Sequence, residues 1–234
     1  MPVECVCIAA VDFDGTLLEG HAPVRMIPRL VQRGYIPWST AVKAGWWGLR
    51  YKLHMSVEQA QVREHIFSAF THLPVEEADK IMADFYHEDL QKRLRPKAKE
   101  VIFAHQEAGH KVVLVSASFM PILKEVAKDV KADWFICSQM EIENGHYTSS
   151  VAHTPPEGEQ KLIQLTAWAN STFGINGPHE QRHWELGFAY GDHHSDIPLL
   201  QAAQKPVAVN PDSRLERTAK RAGWEIVDWS SKPH

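Results

Sequence analysis

Cysteine is scarce in this chain. Cys5, Cys7 and Cys137 are the only three in 234 residues, an odd number that supplies no disulfide framework. Cys5 and Cys7 lie two apart in an apolar stretch, so on a strand both point to one face. They are expected as reduced core thiols rather than as metal ligands. Long apolar runs are missing too: no stretch reaches the roughly 18 consecutive apolar residues of a membrane-spanning helix. Nor does one sign of charge dominate. Basic residues number 25 and acidic residues 29, a formal charge of −4, which argues against a nucleic-acid or membrane-surface partner. Met1-Pro2-Val3-Glu4 carries neither the basic start nor the small-residue cleavage site of a secretory leader, so a cytoplasmic location is expected. Internal repeats and low-complexity tracts are absent. Histidine is plentiful, at 14, so the net charge rises as pH falls below neutrality.

What is present alternates. Residues 3–11 are nearly all apolar and stop abruptly at Asp12, as in a strand buried on both faces of a parallel sheet. Similar runs occur at 111–116, 134–138, 186–192 and 207–210, with helical stretches at 97–108, 121–128, 160–169 and 195–203. Gly109 closes the first of these helices. The alternation predicts an α/β fold with a parallel sheet and right-handed crossovers. Two insertions interrupt it. Residues 20–94 show no strand pattern, and amphipathic stretches at 57–70 and 75–90 predict a helical insert punctuated by Pro74 and Pro96. Residues 140–151, with Asn144-Gly145 at the centre, predict a β-hairpin.

Chemistry concentrates at predicted strand ends. The first strand delivers Asp12 and Asp14 in Asp12-Phe13-Asp14-Gly15-Thr16, where open parallel sheets bind ligands. Gly15 permits a tight turn, and Thr16 offers a hydroxyl and an amide. An incidental acid pair at a solvated strand end would read the same locally. The second strand ends in Ser116-Ala117-Ser118 ahead of a helix near Met120, which is either an anion site or a simple helix cap. Lys161 opens another helix and could direct one ammonium to the same face. The fourth strand ends Gly191-Asp192-His193-His194-Ser195-Asp196, supplying two more acids.

In this order, the four segments resemble the haloacid dehalogenase superfamily, nearest the branch containing phosphoserine phosphatase. The resemblance spans almost the whole chain, through Pro206–Pro211. It implies a Rossmann-like core over residues 1–19 and 95–234, with a helical cap over 20–94 that excludes water and selects the substrate. It also implies a Mg2+-dependent phosphatase acting on a small phosphorylated metabolite. In that reading Asp12 attacks phosphorus and Asp14 is general acid and base. Asp12, Asp192 and the Asp14 carbonyl hold Mg2+. Ser116, the Ala117 amide and Lys161 grip phosphate, and Asp196 orients Lys161 or a metal-bound water.

The departures bear on specificity. Phosphoserine enzymes carry Ser-Gly-Gly where this chain has Ser116-Ala117-Ser118, and an ammonium-binding glutamate where it has His21. His21, Arg50 and His193 are therefore the candidate substrate contacts. The insert's basic first half (Arg25, Arg29, Arg33, Lys43, Arg50, Lys52) and acidic second half (Glu58, Glu64, Glu76, Glu77, Asp79) fit solvated helix faces or a pocket for a charged substrate. Trp46-Trp47 suits packing within the insert better than a membrane anchor. His193-His194 lacks Cys or His partners at zinc spacing. His153, His179 and His183 are assigned to loops. Histidinol phosphate is favoured over phosphoserine. Dehalogenation, phosphotransfer to another alcohol and a non-catalytic binding scaffold are the rival readings.

Overall fold

A computed structural model describes residues 5–35, 66, 68–71, 73–174 and 183–230. Arg50, the Trp46-Trp47 segment, His179 and most of the expected helix at 57–70 lie outside the described residues. Elements are numbered over the described part. The strands are β1 (Cys5–Val11), β2 (Lys111–Phe119), β3 (Trp134–Ser138), β4 (Met140–Glu143), β5 (His146–Val151), β6 (His183–Gly191), β7 (Lys205–Val209) and β8 (Glu225–Val227). The α-helices are α1 (Ala22–Gln32), α2 (Val75–Phe85), α3 (Pro96–Glu107), α4 (Met120–Val130), α5 (Glu159–Phe173), α6 (Ile197–Ala202) and α7 (Ser213–Ala222).

Six strands form one parallel sheet in the order β3-β2-β1-β6-β7-β8. The chain winds from β1 out to β3, then returns to the other side of β1 and winds out to β8. The switch point therefore falls between β1 and β6, where such sheets open a crevice at their carboxyl ends. Alternating side chains feed both faces. Val112 and Leu114 join one apolar cluster with Ile102 of α3, Ile122 and Val126 of α4, and Met26 and Met82 of the insert. Val113 and Val115 join the other with Leu165 of α5, Leu199 of α6 and Leu215 of α7. A strand clothed on both faces has no polar side, which is why the central strands read as unbroken apolar runs.

The described part of the insert holds helices and no strand of the sheet. It is pinned to the rest by specific contacts. Val75 N donates to the Gly145 carbonyl of the hairpin (3.0 Å), and Tyr147 Oη donates to Asp79 (2.5 Å). Tyr86 Oη donates to Asp129 of α4 (2.8 Å). The hairpin turns through Asn144 and Gly145, both at positive φ, as its Asn-Gly pair predicts.

Several expectations need correction. Cys5 is exposed and Cys7 half-buried, not core, because β1 enters the sheet from its surface end; all three cysteines are free thiols. The helix expected over 75–90 ends at Phe85 and continues as a π turn, Tyr86–Leu90, which leads into a 3-10 turn, Gln91–Arg93. The one expected over 195–203 is a 3-10 turn, His194–Asp196, followed by α6. Helix α7 and strand β8 had no counterpart in the sequence reading.

Candidate active site

The register that sets Val11 against Tyr190 brings the ends of β1 and β6 together, and Asp12 N donates to the Tyr190 carbonyl (3.0 Å). Asp12 and Asp192 thus leave adjoining strands at the switch point, both buried. Gly15 makes this possible. It sits at φ +84°, a region L side chains rarely adopt, and a Cβ there would overlap the Asp192 carboxylate. The Thr16 hydroxyl lies between the two acids, 3.3 Å from Asp12 Oδ2 and 3.2 Å from Asp192 Oδ1. Arg95, itself buried, donates from Nη2 to the Gly15 carbonyl (3.3 Å) and braces the loop from below.

Lys161 arrives in the first turn of α5. Its Nζ is 2.6 Å from Asp12 Oδ1 and 2.6 Å from Asp196 Oδ1, with all three side chains almost wholly buried. The other Asp196 oxygen accepts the His193 amide (3.2 Å). Burial opposes the charge on Lys161, but Asp12 and Asp196 outweigh it and hold the ammonium well above its ordinary pKa. One ammonium does not balance so many acids. Burial, reinforced by the charge of Asp196, raises Asp12 to about 6 against the pull of Lys161. Burial and the charges of Asp12 and Asp196 raise Asp192 well above the carboxylate range. Carboxyl oxygens of Asp12, Asp192 and Asp196 all lie within 4.8 Å of one another, a hard-oxygen donor set with surplus negative charge. It fits a divalent cation such as Mg2+.

Asp14 stands apart from that set. Its Oδ1 accepts Ala22 N at the start of α1 (2.5 Å). Burial raises its pKa to about 7, the Ala22 amide opposes the rise, and the charge of Asp12 adds to it. Such an acid populates both protonation states near neutrality, as proton transfer in both directions requires.

Ser116 and Ala117 lie in the last part of β2, next to β1, and α4 opens at Met120, as the sequence predicts. Strand β2 runs on to Phe119, with its pairing to β3 interrupted between Val115 and Phe119. The Ser116 hydroxyl is buried and accepts Ser118 N (3.2 Å). Ser138 Oγ donates to the Ala117 carbonyl (2.7 Å), which fixes this stretch.

His21 precedes α1, where burial, with a contribution from His193, lowers its pKa to about 4. Burial and His194 also depress His193. Both therefore present neutral imidazoles at the edge of the acid cluster. Arg25 and Arg29 pair with Asp89 and Glu88 of the π turn (2.7 and 2.5 Å), so the insert's basic first half is partly neutralised within the insert. His193 and His194 do acquire a third metal-type ligand that their spacing did not suggest, Asp212. That acid is already used: Oδ1 caps α7 through Arg214 N and Leu215 N, and Oδ2 accepts His194 N and Nδ1. Sequence reasoning assigned no role to Asp212, Arg95 or the Ala22 amide. Of these only Asp212 had a signal, an Asp before a helical stretch.

Comparison with known proteins agrees with this geometry. The profile of haloacid dehalogenase-like hydrolases matches residues 9–201. A histidinol-phosphatase of Neisseria meningitidis is 30% identical over a stretch covering 66% of this chain and 68% of that protein. A probable phosphatase of Mycobacterium tuberculosis is 28% identical across 73% of this chain, which spans only 56% of that relative's length. Among solved structures, a Bordetella pertussis protein of unknown function superposes with a TM-score of 0.81 at 23% identity, covering 97% of this chain and 100% of that one. A phosphoserine phosphatase captured as a phospho-aspartyl intermediate analogue superposes at 0.64 and 17%, covering 97% and 94%. The segments that line the switch point are therefore those of a known hydrolase architecture, and the chain belongs to the haloacid dehalogenase-like hydrolase family.

Proposed function

We propose that this protein is a Mg2+-dependent phosphatase that hydrolyses a small phosphate monoester through a phosphorylated Asp12. The carrying observation is the buried Asp12–Lys161–Asp196 chain beside Asp192, with Asp14 held separately at a pKa suited to proton exchange. A phosphatase class agrees with the family and with the phosphatase names among its relatives. Asp12, Asp192 and the Asp14 carbonyl would hold Mg2+, which offsets repulsion between the anionic nucleophile and the anionic phosphate.

The residues of the chain do the rest. Lys161, the Ser116 hydroxyl and the Ala117 amide bind phosphate oxygens, and Asp196 keeps Lys161 aimed. An Asp12 oxygen bonds to phosphorus as the ester P–O bond breaks, and the leaving oxygen takes the Asp14 proton. Asp14, now a carboxylate, takes a proton from water as that water attacks phosphorus and the P–O bond to Asp12 breaks. Phosphate leaves, and both acids return to their starting states. The helical insert over 20–94 acts as a cap that limits water during transfer. A cytoplasmic setting suits the three free thiols.

For substrate, histidinol phosphate is the favoured ester. The observation in its favour is the neutral, half-buried His21 where an ammonium-binding glutamate would stand, together with the histidinol-phosphatase relative. Phosphoserine is the second reading, favoured by a phosphoserine phosphatase of Mycobacterium tuberculosis that is 24% identical over 97% of this chain. Turnover of p-nitrophenyl phosphate with and without Mg2+ tests the class, and none in either condition would refute it. Comparing kcat/KM for histidinol phosphate and phosphoserine tests the substrate, and a preference for phosphoserine would overturn the choice.

A further inference from the structure

The turn after β6 gathers a second set of ligand-type side chains beside the acid cluster, and the mechanism above leaves it unused. A ring nitrogen from each of His193 and His194 and a carboxylate oxygen of Asp212 lie within 4.8 Å of one another. The set shares no residue with Asp12, Asp192 and Asp196. His194 Nδ1 is 2.8 Å, and His193 Nε2 3.6 Å, from the same oxygen, Asp212 Oδ2. A tetrahedral Zn2+ holds its nitrogen and oxygen ligands about 3.3 Å apart, a spacing that these two distances straddle. The bonds that already occupy Asp212 act as an outer support for its carboxylate. Asp212 Oδ1 accepts Arg214 N (2.9 Å) and Leu215 N (2.7 Å), and Asp212 N donates to the Asp192 carbonyl (2.8 Å). These bonds stitch the start of α7 to the end of β6. His193 Nδ1 lies 2.9 Å from Ser195 Oγ, which can accept its proton and leave Nε2 free for a metal. The Ser195 amide is the longer contact to that nitrogen, at 3.3 Å. The three side chains keep between 21% and 37% of their surface exposed, so water can complete a coordination shell.

We propose that His193, His194 and Asp212 form a second cation site, separate from the acid cluster, that takes a borderline divalent metal such as Zn2+. Two imidazoles and one carboxylate suit Zn2+ better than Mg2+, which prefers oxygen ligands throughout. The metal takes the place of the proton that His194 Nδ1 donates to Asp212, and that proton returns through water to Nε2, so the ring stays neutral. An ion held here ties the turn that carries Asp192 and Asp196 to the start of α7. The inference does not depend on the phosphatase reading.

Calorimetric titration of the tag-free protein with ZnCl2, in excess Mg2+ to fill the acid cluster, reads this site. About one Zn2+ per chain should bind, as a single three-ligand site requires. His194→Gln and Asp212→Asn should each raise the Zn2+ dissociation constant by at least about tenfold. Asparagine caps helices as well as aspartate does, so the second variant keeps α7 and decides the matter if the first does not fold. Co2+ serves as a second probe of the same site. Held by nitrogen ligands at low coordination number it should give intense visible bands, lost in either variant, whereas six oxygen ligands give weak ones. Asp192→Asn should leave Zn2+ binding in place, because that acid belongs to the other set. No Zn2+ uptake by the unaltered protein in Mg2+, unchanged affinity in either folded ligand variant, or loss of binding in Asp192→Asn would overturn the proposal.

Discussion

Asp192 belongs to the buried acid cluster and Asp14 stands apart from it, and substitution should separate their roles. Asp192→Asn removes an anionic ligand from the hard-oxygen set and should weaken Mg2+ binding by at least about tenfold. Asp14→Asn leaves its backbone carbonyl in place, so affinity should stay within about twofold while turnover is lost. Calorimetric titration of the two variants decides this, and equal losses of affinity would contradict the ligand assignment. At this scale the sequence was most informative where spacing alone fixes geometry. Asp12 and Asp14 leave one strand end together, and Asp192 and Asp196 bracket one turn. Lys161 was legible only through its place in the order, because nothing beside it in the chain marks one lysine as buried between two acids. The neutral state of His21 was not legible, since it follows from burial that only packing creates.

Among elements, those buried on both faces were the easiest to read. Strands β1, β2 and β6 stand as apolar runs because helices cover both sides of the sheet. Helix α7 and strand β8 escaped notice for the converse reason. Helix α7 buries only Leu215 and Ala219 of ten residues, and β8 is three residues at a sheet edge with Glu225 and Ile226 exposed. The π turn after α2 was hidden in an otherwise helical pattern, and it has a structural use. It buries the Tyr86 ring completely while its hydroxyl reaches Asp129 of α4. Tyr86→Phe should cost about 1 kcal/mol, at the low end for a bond to a charged acceptor, because Asp129 is partly exposed and water can replace the phenol. Thermal unfolding should shift down by about 2–4 °C. No shift would show that the bond between insert and core contributes nothing net.

For the whole molecule, the buried histidines set a pH limit on stability. His105 of α3 bonds through Nε2 to the Tyr190 hydroxyl (2.8 Å) and through Nδ1 to His110 (2.8 Å). Burial, with the charge of His110 as a second cause, lowers its pKa from 6.5 to about 4. A folded pKa below the unfolded value means the unfolded chain binds the proton first. Stability is therefore full above pH 6.5 and declines as pH falls toward about 4. His21 contributes in the same direction, so His105→Gln should flatten the slope of melting temperature against pH in that window without abolishing it. An unchanged slope would mean that His105 is not protonated on unfolding.

The central claim is that phosphate passes through Asp12. Acid quenching during turnover of p-nitrophenyl phosphate with Mg2+, followed by peptide mapping by mass spectrometry, tests it most directly, since an acyl phosphate survives acid whereas a phosphohistidine does not. The account predicts one added phosphoryl group on the peptide containing Asp12. It also predicts no adduct and at least about a thousandfold loss of turnover in Asp12→Asn, whose fold should persist because Asp196 still pairs with Lys161. A turning-over enzyme with no phosphoryl group on that peptide, or an Asp12→Asn variant that remains active, would contradict the account.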